Sequence, residues 1–457
     1  MTSGQEFDVV VVGGGSGGYA AALRAAELGK TVALIEKDLL GGTCLHRGCI
    51  PTKALLHTAE IADHVREAAS VGVDAALTGI DPARMSAYRE GIVAKKFAGL
   101  KSLIAARGIT VVAGEGRLTG ERTVTVGDEV YRGGDVVIAT GSHTRTIPGI
   151  EIGGRVLTSE SAIALDRIPT SAVILGGGVI GVEFASVWRS FGAEVTIVEA
   201  LDHLLPAEDV SSSKALERAY RRRGIHSRLG MRCEGVSQTD ADVTVSLSDG
   251  STIVADVVLV AVGRAPSTSG LGLEEAGVEL DRGFVRVDDR LQTTAERVWA
   301  VGDIVPGLQL AHRGFQQGIF VAEQMAGLSP VPVPESTIPR VAYSHPEVAS
   351  VGLTEAQARE IHGDLVHTVE YNLAGNGKSE ILGTGGIAKV VRTEGGPILG
   401  VHMVGDRVGE LITEGQLAVG WEAHPEDLAP FIHAHPTQSE ALGEAFLALA
   451  GKPLHTI

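Results

Sequence analysis

The stretch Phe7-Asp-Val-Val-Val-Val-Gly-Gly-Gly-Ser-Gly-Gly18 decides the fold of this chain. Its first half is apolar apart from Asp8, and such a run is typical of a strand buried on both faces of a parallel sheet. Gly13, Gly15 and Gly18 then follow in G-x-G-x-x-G spacing, and Tyr19 to Leu28 has the pattern of a helix. The sequence therefore predicts a strand, a glycine-rich turn and a helix, in that order.

A second strand is predicted from Thr31 to Ile35, after Gly29 ends the helix, and Glu36 stands at its end. In such a unit the backbone N–H groups of the turn and the helix N-terminus can meet a pyrophosphate, and the terminal acid can bond ribose hydroxyls. One fingerprint alone is weak evidence, because a glycine-rich turn without a ligand has the same letters.

The same pattern occurs a second time, in register with the first. Two copies with strand, helix and terminal acid predict two dinucleotide-binding units, and the segments Asp135–Gly141 and Asp256–Gly263 end them in a similar way. The parts of the second copy are the strand Ala172–Leu175, the glycines Gly176, Gly178 and Gly181, the helix Val182–Phe191, the strand Val195–Val198 and the acid Glu199.

The second nucleotide is expected to be NAD rather than NADP. Neither Glu36 nor Glu199 is followed at once by a pair of arginines that would bind a 2′-phosphate, and the Glu199 carboxylate would repel one.

Composition excludes several classes of function. The chain has 457 residues, more than one hydrophobic core usually supports, and a formal net charge of -17. An acidic chain repels phosphate backbones and anionic membranes, and aromatic residues are only 4%, so neither nucleic acid nor a membrane is an expected partner. We find no targeting segment and only three cysteines, and we expect a cytoplasmic protein.

The last third of the chain differs in character from the rest. Ile387–Arg392 and Ile398–Val404 are β-rich runs on either side of a hairpin signal, and helical patterns follow them. We predict an α/β fold with two Rossmann-like dinucleotide-binding domains and a C-terminal α+β domain. The predicted domains are residues 1–147, 148–265, 266–334 and 335–457.

Two cysteines lie five residues apart in Gly41-Gly-Thr-Cys44-Leu-His-Arg-Gly-Cys49-Ile-Pro-Thr-Lys53. On a regular helix they would point about 140° apart, so a disulfide requires a distorted turn, which Gly48 permits. Such a bridge would be strained or exposed, and therefore readily reduced. From spacing alone three interpretations remain open, namely a redox pair, two buried thiols, and a metal site that includes His46 but lacks a nearby fourth ligand. We predict no metal, and we interpret Cys233 as structural.

The stretch Cys44–Lys53 resembles the active-site signature of the flavoprotein disulfide reductases, which are pyridine-nucleotide disulfide oxidoreductases. The tail His433-Ala-His435-Pro-Thr-Gln-Ser-Glu440 resembles their C-terminal signature, and Trp299-Ala-Val-Gly-Asp303 resembles a second flavin-contact motif. The resemblance covers essentially the whole chain in the family's order. It implies that residues 1–147 are an FAD-binding domain, 148–265 an NAD-binding domain, 266–334 a central domain completing the FAD site, and 335–457 a C-terminal α+β dimerisation domain. It extends to the branch that oxidises dihydrolipoyl groups, through Gly178–Glu183 and Tyr343–Gly352.

The resemblance implies a role for each matching residue. Cys44 would be the outer, interchange thiol, and Cys49 would be the thiolate that lies against the flavin. Lys53 would pair with Glu183 beside the reactive flavin nitrogen. The residues implied in FAD binding are Gly13, Gly15, Gly18, Glu36, Lys53, Thr140, Gly141 and Asp303, and those implied in NAD binding are Gly176, Gly178, Gly181, Glu199 and Gly263.

His435 would be the acid–base group, oriented by Glu440. A thiol attacks only as a thiolate, and a histidine with a carboxylate partner is suited to take its proton. Taken alone, His435 could equally be a capping or buried histidine before the last helix.

The resemblance further implies a homodimer that acts on a lipoyl group, free or on a carrier domain, as part of a 2-oxo-acid dehydrogenase or glycine-cleavage complex. Another disulfide or quinone reductase of the superfamily, and a flavin-binding assembly subunit with vestigial catalysis, remain as alternatives. Some residues depart from the family pattern and bear on redox potential and partner choice: His46 and Arg47, Phe315-Gln-Gln317, and Asn376-Gly-Lys378.

Overall fold

The computed structural model describes residues 4–455 and divides into two compact units. The first unit comprises residues 4–54, 83–145 and 264–335, and the second comprises residues 55–82, 146–263 and 336–455. The strands are β1 (Gln5–Val12), β2 (Val32–Glu36), β3 (Thr110–Ala113), β4 (Arg117–Gly120), β5 (Thr123–Val126), β6 (Glu129–Ile138), β7 (Ser142–Thr144), β8 (Val156–Leu157), β9 (Ser171–Leu175), β10 (Glu194–Val198), β11 (Ile225–Arg228), β12 (Cys233–Gln238), β13 (Val243–Leu247), β14 (Thr252–Ala255), β15 (Val257–Val260), β16 (Arg264–Pro266), β17 (Leu280–Asp281), β18 (Phe284–Val285), β19 (Val298–Ala300), β20 (Arg340–Ala342), β21 (Glu347–Gly352), β22 (Val366–Asn372), β23 (Ile387–Thr393) and β24 (Ile398–Gly405). The α-helices are α1 (Ser16–Glu27), α2 (Gly42–His46), α3 (Cys49–Glu67), α4 (Pro82–Ala106), α5 (Ser159–Ile163), α6 (Val179–Ser190), α7 (Val210–Arg223), α8 (Ala311–Met325), α9 (Glu355–His362), α10 (Gly377–Ile381), α11 (Val408–Gly420), α12 (Pro425–Leu428) and α13 (Glu440–Leu449).

The first unit is built on a sheet with strand order β3-β2-β1-β6-β5-β4, and β19 also pairs with β6. Strands β1, β2, β3, β6 and β19 are parallel, and β4 and β5 run antiparallel as an extension of β6. Val9 and Val11 enter the core on one face of β1, and Val10 and Val12 enter a second core on the other. The first strand is thus buried on both faces, as its apolar run predicts.

Helices α1 and α8 cross with their backbones close together. A Cβ on Gly318 would lie 2.3 Å from the carbonyl oxygen of Gly17 and 2.8 Å from the backbone nitrogen of Ala21. A side chain larger than hydrogen at position 318 would therefore separate the two helices. Glycine on α8 allows α1, the helix that follows the first fingerprint, to pack against it at short range.

The second unit repeats the topology of the first. Its parallel sheet has strand order β11-β10-β9-β15-β8, so β9, β10, β11 and β15 correspond to β1, β2, β3 and β6. An antiparallel sheet, β12-β13-β14, contributes Val243, Val245 and Leu247 to the core beneath the parallel sheet. The internal duplication that the sequence predicts is present in the fold.

The C-terminal part of the second unit is an antiparallel sheet of order β20-β21-β24-β23-β22. Helices α11 and α13 contribute Val408, Ile412, Leu442 and Phe446 to a core with the buried residues of this sheet. Strands β23 and β24 match the two predicted β-rich runs closely, because both carry apolar residues on consecutive positions and face helices.

A buried ionic cluster lies within the second unit. The Lys389 ammonium on β23 donates to the Asp209 carboxylate at 2.9 Å and lies 2.7 Å from the Glu355 carboxylate. The side chains of Lys389 and Asp209 are only 6% and 3% exposed. Burial opposes ionisation of Asp209, but the backbone N–H of Glu355 and the Lys389 ammonium outweigh it and lower the pKa of Asp209 to about 2. Both partners are therefore charged at neutral pH.

The predicted helix boundaries need one correction. Helix α1 begins at Ser16 and α6 at Val179, each three residues before the predicted start at Tyr19 or Val182. The third glycine of each fingerprint lies inside the first turn of its helix, since only hydrogen fits there against the carbonyl of the first glycine. The bounds of the four predicted domains stay a prediction. None of the helices between residues 4 and 455 is long and apolar enough to cross a membrane.

Candidate functional site

The first glycine fingerprint forms a tight cradle between β1 and α1. Gly13 adopts a φ of 103°, and a Cβ there would lie 2.4 Å from the Ala139 carbonyl oxygen. A Cβ on Gly18 would lie 1.8 Å from the Gly13 carbonyl oxygen. Around Gly15 the space is open, with the nearest atom, the Gly42 Cα, 4.0 Å away. Two of the glycines are thus needed for packing, and Gly15 leaves room for a ligand beside the start of a helix.

The second fingerprint reproduces this geometry. Gly176 has a φ of 111° and lies against the Ala261 carbonyl oxygen, and a Cβ on Gly181 would lie 2.0 Å from the Gly176 carbonyl oxygen. A Cβ on Gly178 would meet no atom within 4 Å. Gly263, at the end of the unit, has a φ of 98°. Both cradles therefore present the same open position to a dinucleotide pyrophosphate.

Glu36 and Glu199 each hold their glycine turn in place. One carboxylate oxygen accepts the backbone N–H of the glycine that lies between the first two fingerprint glycines, Gly14 or Gly177, at 2.6 Å. The other oxygen accepts the backbone N–H of the residue two positions after the glutamate, Asp38 or Leu201, at 2.8 Å in both units. A carboxylate has about four acceptor positions, so each can still receive a ribose hydroxyl. The sequence predicted the ribose contact and missed this bracing of the turn.

The predicted redox pair lies where two short helical segments meet. Helix α2 ends at His46, Arg47 and Gly48 form a turn, and α3 begins at Cys49. The structure shows both cysteines as half-buried thiols with a side-chain hydrogen bond between Cys44 and Cys49. A Cβ on Gly48 would lie 3.1 Å from the Thr43 carbonyl oxygen, so glycine permits the turn that brings the sulfurs together.

The surroundings of the thiols favour the protonated form of Cys44. The hydrogen bond with Cys49, and then burial, raise the pKa of the Cys44 thiol well above its usual value, although Lys53 and Ser16 act in the opposite direction. Burial and the nearby Cys44 and Cys49 also raise the pKa of Tyr19 to about 12. Ser16 and Tyr19 belong to α1, so the thiols lie beside the helix that follows the first fingerprint.

The two residues between the cysteines that depart from the family pattern brace the redox turn. His46 donates through Nε2 to the Leu40 carbonyl oxygen at 2.9 Å and packs edge-on against Phe97 at 5.0 Å. The Arg47 guanidinium pairs with the Asp38 carboxylate at 2.5 Å. Since the His46 ring is engaged in this way, the structure places it as a support of the turn.

A second group of predicted flavin contacts is assembled around Ser142. The Ser142 hydroxyl donates to the Asp303 carboxylate at 2.6 Å and accepts from the Arg264 guanidinium at 2.7 Å. Thr140 donates to the Ser267 carbonyl oxygen at 2.8 Å, and Gly141 turns the chain with a φ of 72°. The pairing of β7 with β16 holds these residues, and sequence reasoning missed both Ser142 and Arg264.

His435 and Glu440 form the predicted pair in the tail. His435 Nδ1 lies 2.9 Å from the Glu440 carboxylate, and the His435 side chain is 79% exposed. Burial opposes ionisation of Glu440, but the N–H of Thr437 and the His435 ring outweigh it and lower its pKa. Because Nδ1 faces Glu440, Nε2 is the ring nitrogen that the predicted acid–base role would use.

A second histidine–carboxylate pair lies next to the first. His433 is mostly buried, and its Nε2 lies 2.8 Å from the Glu414 carboxylate, which raises the pKa of His433. No local sequence pattern indicated this pair, because Glu414 lies on α11, whereas His433 precedes α13. It anchors the segment that carries His435.

Glu183 is buried on α6, and its carboxylate accepts the backbone N–H of Tyr343 at 2.9 Å. The predicted pairing of Glu183 with Lys53, and the approach of His435 to the thiols, stay predictions. Cys233 is half-buried in β12 and donates to the Gly235 carbonyl oxygen. Among residues 4–455 there is no group of three or more metal-ligating side chains.

Comparison with known proteins now identifies the family. Residues 7–318 match the pyridine nucleotide-disulphide oxidoreductase family, residues 338–446 match that family's dimerisation domain, and the chain belongs to this family. The chain is 40% identical to a dihydrolipoyl dehydrogenase of Bacillus subtilis, over 98% of this chain and 99% of the relative.

Two solved structures are also similar over nearly their full length. LpdA from Mycobacterium tuberculosis has a TM-score of 0.90 at 28% identity, covering 97% of this chain and 99% of that one. The HOCl-induced flavoprotein disulfide reductase RclA from Escherichia coli has a TM-score of 0.86 at 30% identity, covering 96% of this chain and 99% of that one.

These findings confirm the predicted fold class, which is an α/β fold with two dinucleotide-binding regions and a dimerisation domain. They also confirm that the chain is an oxidoreductase. The family is enzymatic, so the prediction of an enzyme that uses FAD and NAD is confirmed, and the dimerisation domain confirms the predicted homodimer. The residue roles were inferred from motifs and stay predictions.

Proposed function

We propose that this chain is a dihydrolipoyl dehydrogenase, which oxidises dihydrolipoamide to lipoamide and reduces NAD to NADH. The observation that carries the proposal is the Cys44–Cys49 pair, held in hydrogen-bond contact beside Ser16 at the first glycine cradle. The extent of the similarity to the Bacillus subtilis dihydrolipoyl dehydrogenase supports the choice of substrate.

The residues of the first unit fit FAD. The open space at Gly15 would receive the pyrophosphate, Glu36 retains acceptor positions for the ribose, and Asp303 with Ser142 presents polar groups for the ribityl chain. When bound, FAD supplies a two-electron carrier between the thiols and NAD. In the second unit, Gly178 and Glu199 would hold NAD in the same way, and the buried Glu199 carboxylate disfavours a 2′-phosphate.

The chemistry of the thiols follows from the groups around them. His435 takes the proton from a substrate thiol, with Glu440 stabilising the charged imidazole. The substrate thiolate attacks Cys44 of the disulfide, a mixed disulfide forms, and the Cys49 sulfur leaves as a thiolate. The second thiol of the same substrate then attacks the mixed disulfide through its sulfur, its proton passes by way of His435 to Cys44, lipoamide is released, and Cys44 is left as a thiol while His435 keeps one proton. The raised pKa of Cys44 suits this role, because it favours the thiol form of Cys44 once lipoamide has left.

The dimer is expected to act on a lipoyl group carried by a partner domain or free in solution. A 2-oxo-acid dehydrogenase or glycine-cleavage complex in the cytoplasm is the proposed setting. In this proposal His435 of one subunit serves the thiols of the other, since the tail belongs to the dimerisation domain.

Steady-state assays test the substrate. We expect turnover with dihydrolipoamide and NAD, and much lower rates with oxidised glutathione, with quinones or with NADPH. Faster quinone or glutathione reduction would assign the chain to a different reductase of the family. A protein that retains flavin but turns over none of these substrates would be an assembly subunit.

Replacement of the cysteines tests the mechanism. Cys44→Ser and Cys49→Ser should each abolish lipoamide turnover and leave the protein yellow, because neither thiol is needed to hold the flavin. Cys233→Ser is the matched control and should retain full turnover, since Cys233 lies in β12 and its thiol donates to the Gly235 carbonyl oxygen, which a serine hydroxyl can also do. Lipoamide turnover that survives Cys44→Ser would refute the proposed mechanism.

A further inference from the structure

The strongest local positive charge in this acidic chain lies at the end of α7 and along β11. Residues 214–232 contain seven lysines and arginines against one acid, although the whole chain carries a net charge of -17. Most of these cations are exposed. We define the basic patch as Lys214, Arg218, Arg221, Arg222, Arg228 and Arg232.

Five of the six cations of the basic patch have no side-chain partner within the part of the chain that the structure describes. Between residues 4 and 455, the side chains of Lys214, Arg218, Arg221, Arg222 and Arg232 form no ion pair or side-chain hydrogen bond. The next arginine shows the contrast, because Arg223 binds the Asp63 carboxylate at 2.8 Å and the Ser190 hydroxyl at 2.7 Å. Like charges held close together repel one another, and a bound anion would relieve the repulsion that the surrounding side chains leave in place.

The patch has a defined shape. Lys214, Arg218 and Arg222 are four residues apart on α7, so they lie along one face of the helix over about 12 Å. Arg221 and Arg228 lead from this row into a surface pocket of about 860 Å³. The same pocket is lined by the apolar residues Leu229, Ile253 and Val254. A row of cations thus ends in a pocket that can also receive an apolar side chain.

The strand beside the pocket has an open edge. Among the strands that the structure describes between residues 4 and 455, β11 is the outermost of its sheet and pairs with β10 alone. His226, Ser227 and Arg228 on this strand are all exposed. An edge strand presents unpaired backbone N–H and C=O groups, to which an extended peptide can add as a further strand. Charged residues on an edge strand also prevent it from pairing with other sheets, but that protective role requires neither the row of cations on α7 nor the pocket.

We propose that the basic patch and the β11 edge dock an extended acidic segment of a partner protein. About four residues of an extended chain span the 12 Å row on α7, at about 3.3 Å per residue. Carboxylates of the segment would meet Arg218, Arg221 and Arg222, and an apolar side chain would enter the pocket. The patch lies outside the residues that match the dimerisation domain, which are 338–446.

The chain's charge favours a short acidic segment over a nucleic acid. At physiological salt, charges are screened beyond about 8 Å, so the patch attracts an anion that stays within its bounds despite the net charge of -17. A long polyphosphate would extend over the acidic remainder of the surface and be repelled there.

A binding experiment on the intact flavin-loaded protein tests the proposal. The probe is a fluorescent ten-residue peptide of alternating Glu and Val, with a peptide of alternating Lys and Val as its charge-reversed counterpart. We expect the acidic peptide to bind and to weaken as salt is added, and the basic peptide to bind at least tenfold more weakly. Failure of the acidic peptide to bind, or tighter binding of a ten-nucleotide single-stranded DNA, would overturn the proposal.

Two matched variants locate the site. Arg218→Glu with Arg222→Glu should weaken binding of the acidic peptide at least tenfold. Arg282→Glu with Arg286→Glu makes the same change of charge at exposed arginines of the first unit, which are 88% and 67% exposed, and should leave binding unchanged. Equal losses in both variants would show a nonspecific charge effect and overturn the proposal. If the first variant fails to fold, Arg221→Gln should still weaken binding severalfold, and unchanged binding in that variant would also count against it.

Discussion

Gly181→Ala should destabilise the second dinucleotide unit and impair NAD binding without loss of flavin. The new Cβ would lie 2.0 Å from the Gly176 carbonyl oxygen, so the backbone must move by roughly 1 Å. Such overpacking costs up to about 3 kcal/mol, and the better helix propensity of alanine offsets about 1 kcal/mol of it. We expect a net loss of about 2 kcal/mol in the free energy of unfolding of this unit.

Denaturant unfolding, the KM for NAD and the flavin content measure these effects. Gly178→Ala is the matched control, because its Cβ meets no atom within 4 Å. It should change stability by less than about 1 kcal/mol and still raise the KM for NAD, since its Cβ enters the space left for a ligand. If Gly181→Ala is as stable as the unaltered protein, the packing role assigned to the third glycine is wrong.

Two other changes test the second unit. Lys389→Met leaves the Asp209 carboxylate buried without its cation and should cost about 3–5 kcal/mol in urea unfolding, whereas Lys37→Met, at a pair 65% and 63% exposed, should cost less than about 1 kcal/mol; equal losses would contradict the role of burial. Burial raises the pKa of Glu347 from 4.5 to about 7, so the stability it contributes is fully present below pH 4.5 and is lost as the pH rises towards 7. Glu347→Gln should therefore show a smaller fall in thermal midpoint across this window, and an unchanged pH profile would show that Glu347 does not titrate there.

Local patterns predicted the parts of the fold whose residues are neighbours in sequence. The two glycine fingerprints gave the strands, helices and turns of both dinucleotide units, because strand burial and close backbone approach leave a direct mark on residue type. Their helix starts were misplaced, since Gly18 and Gly181 break the usual helical pattern and yet lie within the first turn.

Contacts between residues far apart in sequence could not be predicted from local residue types. Gly318 of α8 meets Gly17 of α1 some three hundred positions away, and neither residue signals the other. The same holds for Lys389 and Asp209, which are 180 positions apart. In the candidate site, the thiols and the His435–Glu440 pair were predicted from motifs. The support of the redox turn by His46 was not, because it depends on the position of the Leu40 carbonyl.

The discontinuous first unit has a consequence for biosynthesis. Its sheet needs β19 beside β6, and α1 needs α8, yet β19 and α8 emerge from the ribosome after the whole segment 146–263. At roughly 5–20 residues per second, translation of that segment takes on the order of ten seconds. Throughout this interval the nascent chain exposes an apolar strand and a helix that lack their neighbours. Capture of the flavin must wait until the chain has been made to about residue 335 of 457, and a chaperone has its main opportunity to act before then.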